Sequence, residues 1–251
     1  MSSDAPRPGD GYTAAQVRAA EAPLLAAGEP LMLRAAAALA AEVGSLLEAR
    51  ATDAATRPVV LVLAGSGDNG GDALFAAAEL ASQGADVRIL AAGSRLHEAA
   101  AAAARGAGAT DLDPDGDPDG VDHAIDEAEV ILDGILGIGA AGSPALRGRA
   151  CDVVARVRDR LGRPAGSVDA SGTRHPLVVA VDLPSGISPD DGAVPDPTVL
   201  GADVTVTFGA VKAGLLTPPG SAYAGRVVLV DLGLGPALAG VEPAVRMRAE
   251  A

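Results

Sequence analysis

The sequence is poor in aromatic residues and in cysteine, and these shortages exclude several classes of protein. Only 2% of its 251 residues are aromatic, none is Trp, and Cys151 is the single cysteine. A lone cysteine excludes an intramolecular disulfide and a multi-cysteine zinc site. The scarcity of rings argues against single-stranded nucleic acid binding, which depends on base stacking. We expect the core to be built from Ala, Val and Leu, with close packing of helices on a sheet.

Positive charge is also scarce. The formal net charge is −14, and Lys212 is the only lysine. Because an acidic surface repels phosphate backbones and anionic lipids, the sequence predicts neither nucleic acid nor a membrane as a partner. The N-terminus has no apolar targeting region, and no stretch reaches membrane-spanning length without charges. These features favour a cytoplasmic protein.

Apolar runs alternate with helical segments along most of the chain. The runs predict strands at 59–64, 86–90, 130–132, 177–181, 204–208 and 227–230, and helices at 14–27, 30–50, 69–83, 94–105 and 145–161. Such alternation indicates parallel βαβ units with right-handed crossovers. The predicted fold is α/β, a three-layer αβα sandwich around a doubly wound, mostly parallel, Rossmann-like sheet. Residues 12–236 are its single predicted domain, between a disordered segment, 1–11, and a C-terminal tail, 237–251.

Two segments interrupt this alternation. Residues 111–120 (DLDPDGDPDG) are acidic, and from Asp115 onward their spacing approaches that of a calcium-binding loop. Pro118 and Asp122 break that spacing, so we interpret the segment as a solvated acidic loop. Residues 162–175 are rich in Gly, Ser and Thr, and they predict a surface excursion between a helix and a strand.

Polar clusters follow three of the predicted strands, at residues 65–72, 133–143 and 182–186. Because the carboxyl ends of parallel strands lie on one edge of a sheet, we expect the clusters to converge there and to form the functional site. The simpler alternative, that turns need Gly, Asp and Pro, stays open. The three histidines lie elsewhere, and we expect none of them to act as a catalyst or ligand: His97, His123 and His175.

The first cluster contains the dinucleotide fingerprint G-x-G-x-x-G at Gly65, Gly67 and Gly70. Two features argue against an ordinary dehydrogenase. Asp68 and Asp72 would place carboxylates beside a bound pyrophosphate. The second predicted strand also lacks the acidic residue that binds the ribose.

Each of the three clusters offers a side-chain oxygen at the end of a different strand. Asn69, Asp133 and Ser185 could together bind one hard cation, although each alone is better explained structurally, as a helix cap, a turn residue and a helix N-terminus respectively. The second cluster is glycine-rich, and its backbone N–H groups could wrap a phosphate.

These motifs resemble those of the NAD(P)H-hydrate epimerase family, also called the YjeF N-terminal domain. The resemblance extends from Tyr12 to about Leu234. It rests on residues 65–72 (GSGDNGGD), 133–139 (DGILGIG), 179–186 (VAVDLPSG), 208–216 (FGAVKAGLL) and 231–234 (DLGL). It implies an isomerase for nicotinamide nucleotide repair, which interconverts the R and S forms of hydrated NADH and NADPH (NADHX and NADPHX). A separate ADP/ATP-dependent dehydratase would then act on the product.

The resemblance also implies roles for individual residues. Substrate contacts are implied for Asp68, Asn69, Gly70, Gly71, Asp72, Gly137, Ile138, Gly139, Ala140, Ala141, Gly142, Ser143 and Asp182. One potassium ion per subunit is implied at Asn69, Asp133 and Ser185, and a homodimer is implied as well. We take Asp182 as the first candidate for catalytic proton transfer and Asp133 as the second, because a cation ligand is held ionised.

The sequence departs from the family pattern in several places. Asp68 and Ala73 replace the usual asparagine and glycine, and residues 31–36 lack the common glutamate and glycine, so the role of the N-terminal helices stays open. The fused dehydratase domain of many bacterial relatives is absent, which predicts epimerisation without dehydration. The alternative function is a non-catalytic nucleotide-binding or scaffold module of the same fold. The choice between NADHX and NADPHX also stays open, although Arg95 favours a 2′-phosphate.

Overall fold

The structure is a computed structural model that describes residues 9–51, 57–162 and 175–247. Helices and strands alternate along these ranges. In chain order the elements are β1 (Asp10–Gly11), α1 (Ala14–Ala26), α2 (Leu31–Arg50), β2 (Val59–Ala64), α3 (Asp68–Ser82), β3 (Asp86–Ala91), α4 (Glu98–Gly106), β4 (Thr110–Asp111), α5 (Pro118–Glu127), β5 (Val130–Gly134), α6 (Arg149–Leu161), β6 (Leu177–Val181), β7 (Val204–Phe208), α7 (Ala213–Leu216), β8 (Arg226–Val230), α8 (Gly235–Leu238) and β9 (Val245–Arg246).

Seven parallel strands form the central sheet, in the order β4-β3-β2-β5-β6-β7-β8. From β2 the chain adds strands in one direction, to β3 and β4. It then returns to the other side of β2 and continues from β5 to β8. The winding therefore reverses between β2 and β5, which is where doubly wound sheets bind ligands. The predicted fold class is confirmed.

Both faces of this sheet are covered by helices, which explains the unbroken apolar sequence of β2. Val60 and Val62 point to the core that contains α2, α3 and α4. Leu61 and Leu63 point to the opposite core, which contains α5 and α6. Alternate side chains of a strand face opposite sides of a sheet, so a strand buried on both faces needs apolar residues at every position.

The two N-terminal helices begin and end at local signals in the sequence. Thr13 Oγ1 accepts a hydrogen bond from the backbone N of Gln16 (3.2 Å), and Gln16 Oε1 accepts one from the backbone N of Thr13 (2.9 Å). This capping box starts α1. The chain leaves the helix near Gly28, whose φ of 80° favours glycine. The following helix, α2, then packs against α3 and the sheet.

No single helix in the described ranges is long and apolar enough to cross a bilayer. Taken together, α1 and α2 have the length and the apolar composition of a membrane span, but the chain bends by 113° between them.

The acidic segment 111–120 is not wholly a loop, so this expectation is corrected. Its start forms β4, which pairs with β3, and its end begins α5. Asp117 Oδ1 accepts a hydrogen bond from Gly120 N (3.0 Å) and caps that helix. The helix was missed because only three of its apolar side chains are buried, at helical spacing: Val121, Ala124 and Ile125. Across the described ranges, no three His, Cys, Asp or Glu side chains form a group that could hold a metal ion.

The chain ends also differ from expectation. Residues 1–8, in the segment predicted to be disordered, lie outside the described residues, but Asp10–Gly11 pair antiparallel with Val245–Arg246. The prediction is therefore wrong at residues 10–11. Backbone atoms make this pairing, so the polar sequence carries no sign of it. The surface excursion was predicted at residues 162–175, of which 163–174 are also outside the described residues.

Candidate functional site

A cavity of about 1050 Å³ opens at the carboxyl ends of the strands, where the winding reverses between β2 and β5. All three polar clusters contribute to its wall, as do α1 and α2. The lining residues are Arg18, Glu21, Ala22, Leu25, Leu31, Met32, Ala35, Gly65, Ser66, Gly67, Asp68, Asn69, Asp72, Ala92, Gly93, Ser94, Ile135, Leu136, Gly137, Ile138, Gly139, Ala140, Arg147, Arg149, Ala150, Asp182, Phe208, Lys212 and Leu232. The clusters therefore converge on one edge of the sheet.

The loop after β2 passes very close to the loop after β5. A Cβ atom on Gly65 would lie 1.9 Å from the carbonyl oxygen of Ile135, and one on Gly70 would lie 2.1 Å from the carbonyl oxygen of Gly65. Only glycine permits such approaches. The glycines of the fingerprint-like motif thus have a packing role, which needs no bound dinucleotide to explain it.

Asp133 and Ser185 join the second and third clusters through two hydrogen bonds. Ser185 Oγ donates to Asp133 Oδ1 (2.6 Å), and Ser185 N donates to Asp133 Oδ2 (2.8 Å). Ile135 N donates to Asp133 Oδ1 at 3.4 Å. Burial raises the pKa of the Asp133 carboxyl, and the hydrogen bonds from Ser185 and Ile135 offset part of that effect.

The first cluster reaches the same point through Asn69. Its Nδ2 donates to the backbone carbonyl oxygen of Leu136 (3.1 Å), while Leu136 N donates to Ser185 Oγ (2.9 Å). The structure therefore brings together the three residues predicted as cation ligands, Asn69, Asp133 and Ser185. Their amide, carboxylate and hydroxyl oxygens, with the Leu136 carbonyl, are oxygen donors that carry one formal negative charge. This donor chemistry fits a hard monovalent cation.

Asp182 and Lys212 form a buried ion pair, although 30 residues separate them in the sequence. Lys212 is 1% exposed. Its Nζ donates to Asp182 Oδ1, to the carbonyl oxygen of Phe208 (2.7 Å) and to Thr207 Oγ1 (3.2 Å). An ammonium group has three hydrogens, so each of them has an acceptor within the protein.

The Asp182 carboxylate is held through one oxygen. Oδ1 also accepts from Thr207 Oγ1 and from Phe208 N, each at 3.3 Å, whereas no described residue donates to Oδ2. Asp182 is the only described non-glycine residue with positive φ, at 68°. Residues in this strained region occur often at functional sites. The residue thus combines a fixed position, an available oxygen and a place in the cavity wall.

Three more carboxyl groups line the cavity, at Glu21, Asp68 and Asp72. Burial raises the pKa of Asp72 to about 8, and the negative charges of Asp182 and Asp68 add to this effect. Burial likewise raises the pKa of Glu21, and the Lys212 ammonium partly offsets the rise. The cavity therefore holds Asp72 as a carboxyl group that is protonated near neutral pH.

The exposed part of the cavity wall carries arginines. Arg18 donates to the carbonyl oxygen of Ile138 (2.6 Å), and Arg149 is paired with Asp115 (2.6 Å). Arg147 is exposed and forms no ion pair with any residue in the described ranges. Its guanidinium group is therefore available to an anionic ligand.

The structure places most of the predicted substrate contacts in the cavity wall. These are Asp68, Asn69, Asp72, Gly137, Ile138, Gly139, Ala140 and Asp182. The other predicted contacts do not line it: Gly70, Gly71, Ala141, Gly142 and Ser143. Gly70 and Gly71 are buried, against the backbone of Gly65 and the side chains of Met32 and His97, and the last three residues follow the 3₁₀ turn that ends at Ala140. Arg95, the predicted 2′-phosphate contact, is also outside the lining.

Sequence reasoning assigned no role to five charged residues of the cavity wall: Arg18, Glu21, Arg147, Arg149 and Lys212. Lys212 carried a signal, because it is the only lysine and follows the end of β7 by four residues. Glu21 and Arg147 carried none, since each is one of many charged residues on a helix or loop. Their positions depend on how α1 and the segment before α6 fold over the sheet edge.

Comparison with known proteins identifies the family. Residues 28–214 match the family described as YjeF-related protein N-terminus. An NAD(P)H-hydrate epimerase of Clavibacter sepedonicus is 50% identical over 246 residues, which cover 94% of this chain and 95% of that protein. The chain belongs to the NAD(P)H-hydrate epimerase family.

Other members of this epimerase family resemble the chain over most of its length. An NAD(P)H-hydrate epimerase of Microbacterium testaceum is 50% identical, over 93% of this chain and 82% of that protein. A bifunctional NAD(P)H-hydrate repair enzyme of Mycobacterium tuberculosis is 42% identical, over 89% of this chain and 41% of that protein. The crystal structure of yeast ynu0 matches with a TM-score of 0.68 and 18% identity, over 96% of both chains, and so shares the fold.

Proposed function

We propose that this chain is an isomerase that interconverts the R and S forms of hydrated NADH and NADPH. The observation that carries the proposal is the Asp182–Lys212 pair, which presents a carboxylate with an available oxygen in the wall of a large cavity at the winding reversal. Relatives about half identical to this chain bear the same activity in their names.

The reaction requires proton transfer. The reacting carbon carries both a hydroxyl group and the ring nitrogen, so its configuration can invert by ring opening and reclosure or by loss and return of hydroxide. Either route moves a proton at oxygen or nitrogen. We assign this transfer to Asp182: Lys212, Thr207 and Phe208 hold its Oδ1, and Oδ2 can contact the substrate hydroxyl group.

Asp133, the second candidate from the sequence, is poorly placed for proton transfer. It is fully buried and does not line the cavity, and Ser185 donates to both of its carboxylate oxygens. We propose instead that Asp133, Asn69 and Ser185 hold one potassium ion per subunit. When bound, that ion supplies a positive charge that offsets the buried carboxylate and connects the loops after β2, β5 and β6.

Charges around the cavity suggest how the substrate lies in it. The carboxyl groups of Asp72 and Asp182 are at least half buried, whereas Arg18, Arg147 and Arg149 are exposed. We propose that the hydrated nicotinamide ring contacts the buried carboxyl groups and that the phosphates meet the arginines. The backbone N–H groups of the 3₁₀ turn Ile138–Ala140 would add donors for a phosphate.

A dehydratase is the proposed partner in the repair. The Mycobacterium tuberculosis relative is called bifunctional, and this chain matches only 41% of its length. We propose that a separate ADP/ATP-dependent dehydratase takes the product of this chain. A cytoplasmic location and a homodimer stay predictions from the sequence.

The rate at which purified R- and S-hydrated NADH interconvert, followed by chromatography, tests the proposed activity. We expect the protein to accelerate interconversion above the spontaneous rate, and more so with potassium than with choline at equal ionic strength. A folded protein that binds NADP⁺ but gives no acceleration in either salt would favour the non-catalytic binding module.

A further inference from the structure

Asp72 is a residue of the cavity wall whose carboxyl group has no partner among the described residues. It lies four residues after Asp68 on α3, so the two side chains share one face of the helix. Asp72 lines the cavity, and no residue in the described ranges forms a hydrogen bond or an ion pair with its carboxyl group. In this it differs from Asp133 and Asp182, whose oxygens are held by other parts of the chain.

The charges facing Asp72 come from four elements. Asp68 lies on the same helix, Glu21 on α1, Asp182 after β6, and Lys212 after β7. Three of these groups are acidic and one is basic. Together with burial, the acidic excess raises the pKa of Asp72 to about 8, so this carboxyl group carries a proton at neutral pH.

Asp182 lies in the same cavity wall but has a charged partner. It is the anionic half of an ion pair, and its partner Lys212 has no hydrogen left to donate to a substrate. Lys212 is therefore a positioning residue for Asp182. A carboxyl group that is paired with an ammonium group and a second one that has acidic neighbours are an unlike pair, and acid and base roles are assigned from such pairs.

We propose that Asp72 is the general acid of the epimerisation and that Asp182 is its general base. The inference rests on the proposed function and deepens it. Asp182 takes the proton from the hydroxyl group on the reacting carbon, and the electron pair of that O–H bond forms a carbonyl. The carbon–nitrogen bond breaks, its electron pair stays on the ring nitrogen, and that nitrogen takes the proton of Asp72.

The same pair completes the reaction without any further reactant. Rotation about the adjoining carbon–carbon bond turns the carbonyl over and presents its other face to the nitrogen. Reclosure then returns one proton to Asp72 and moves the other from Asp182 to the oxygen. Both residues end in their starting states, and the carbon has the opposite configuration.

The variant Asp72→Asn keeps the shape of the side chain and removes the acidic proton. We expect its kcat for interconversion of hydrated NADH, corrected for the spontaneous rate, to fall about 10²- to 10⁴-fold, the usual contribution of a general acid. Its KM should change little. Glu79→Gln is the matched control, because Glu79 is an exposed residue on the same helix, outside the cavity, and undergoes the same replacement of a carboxyl group by an amide.

Two pH profiles separate catalysis from a structural role. The wild-type rate should fall as the pH rises through about 8, where Asp72 loses its proton, and the residual rate of Asp72→Asn should lack this decline. The folded chain also keeps a proton that the unfolded chain releases near pH 3.8. Wild-type stability attributable to Asp72 therefore falls as the pH rises from about 4 to about 8.

Asp72→Asn should accordingly be folded, with a higher urea midpoint than the wild type at pH 8 and an equal midpoint below about pH 4. An active wild type whose Asp72→Asn variant keeps kcat within about threefold, or loses only substrate affinity, overturns the acid role alone. A wild type with no activity overturns the proposed function and this inference together.

Discussion

Asp133 lies near the end of β5 and Asp182 directly follows the neighbouring parallel strand β6, and both are almost completely buried, at 0% and 6% exposure. Their donors differ. Neutral groups, the hydroxyl and backbone N–H of Ser185, hold both oxygens of Asp133. An ammonium group, that of Lys212, holds one oxygen of Asp182 and leaves the other available.

This difference shows how two similar carboxylates acquire different chemistry. Among the described residues no cationic side chain lies beside Asp133, so an external cation can stabilise its charge. Both of its oxygens accept hydrogen bonds from Ser185, and the residue does not line the cavity where a substrate would bind. The charge of Asp182 is balanced within the chain, and its second oxygen is not engaged by the described residues. Both carboxylates therefore lie at the end of a strand, but different groups donate to them. Ser185, after β6, donates to Asp133, and Lys212, after β7, donates to Asp182.

The largest expected effect comes from removing the proton-accepting oxygen. Asp182→Asn should lower the rate of R/S interconversion by about 10²- to 10⁴-fold with substrate binding retained. Asp133→Asn should instead abolish the response to potassium. The measurement is steady-state epimerisation with and without potassium, together with NADP⁺ affinity. Full turnover in Asp182→Asn with intact binding would show that the assignment is wrong.

The second effect concerns stability. Lys212→Met removes the ammonium and leaves the Asp182 carboxylate buried without a partner, which should cost about 3–5 kcal/mol of unfolding free energy in urea denaturation. The double variant Lys212→Met/Asp182→Leu should regain most of that loss. As a control, breaking the more exposed pair of Arg156 and Asp122 with Arg156→Ala should cost much less unfolding free energy, because water and salt screen exposed charges. Equal losses of unfolding free energy in Lys212→Met and Arg156→Ala would contradict the expected difference between the buried and the more exposed ion pair.

A smaller effect is expected on the Asp133 side. Ser185→Ala removes the hydroxyl group that Asp133 accepts from, and Leu136 N also loses an acceptor. We expect a loss of about 1–3 kcal/mol and no stabilisation by added potassium. Ser45→Ala is the control, because the exposed Ser45 hydroxyl donates only to a carbonyl of its own helix. Potassium-dependent stabilisation that survives Ser185→Ala would argue against the cation site.

The smallest effect is expected at the exposed wall of the cavity. Arg147→Ala should weaken NADP⁺ binding by about threefold to tenfold, as expected for a solvent-exposed ionic contact that salt screens. Arg95→Ala, outside the cavity lining, should leave affinity unchanged. Calorimetric titration at two salt concentrations measures both. A larger loss of NADP⁺ affinity in Arg95→Ala than in Arg147→Ala would instead support Arg95 as the phosphate contact.

Much of the fold could be predicted because its signals are local. The bounds of β2, β6 and β7 agree with the predicted strands, since each is a short run buried on both faces. The helix α5 was missed because its apolar side chains are few and acidic residues surround them. Arginines on α6 stabilise it from outside its own sequence, through Arg156 to Asp122 and Arg160 to Asp126.

The sequence by itself determined the alternation of strands and helices and placed polar clusters after three strands, because hydrophobic period and turn chemistry act over a few residues. Only the tertiary structure decided which charges meet. Lys212 reaches Asp182 across 30 residues, and Glu21 reaches the same cavity from a helix that precedes the sheet. Ion pairing and pKa shifts depend on the distance between groups and on their burial, and the separation of two residues in the sequence gives neither quantity.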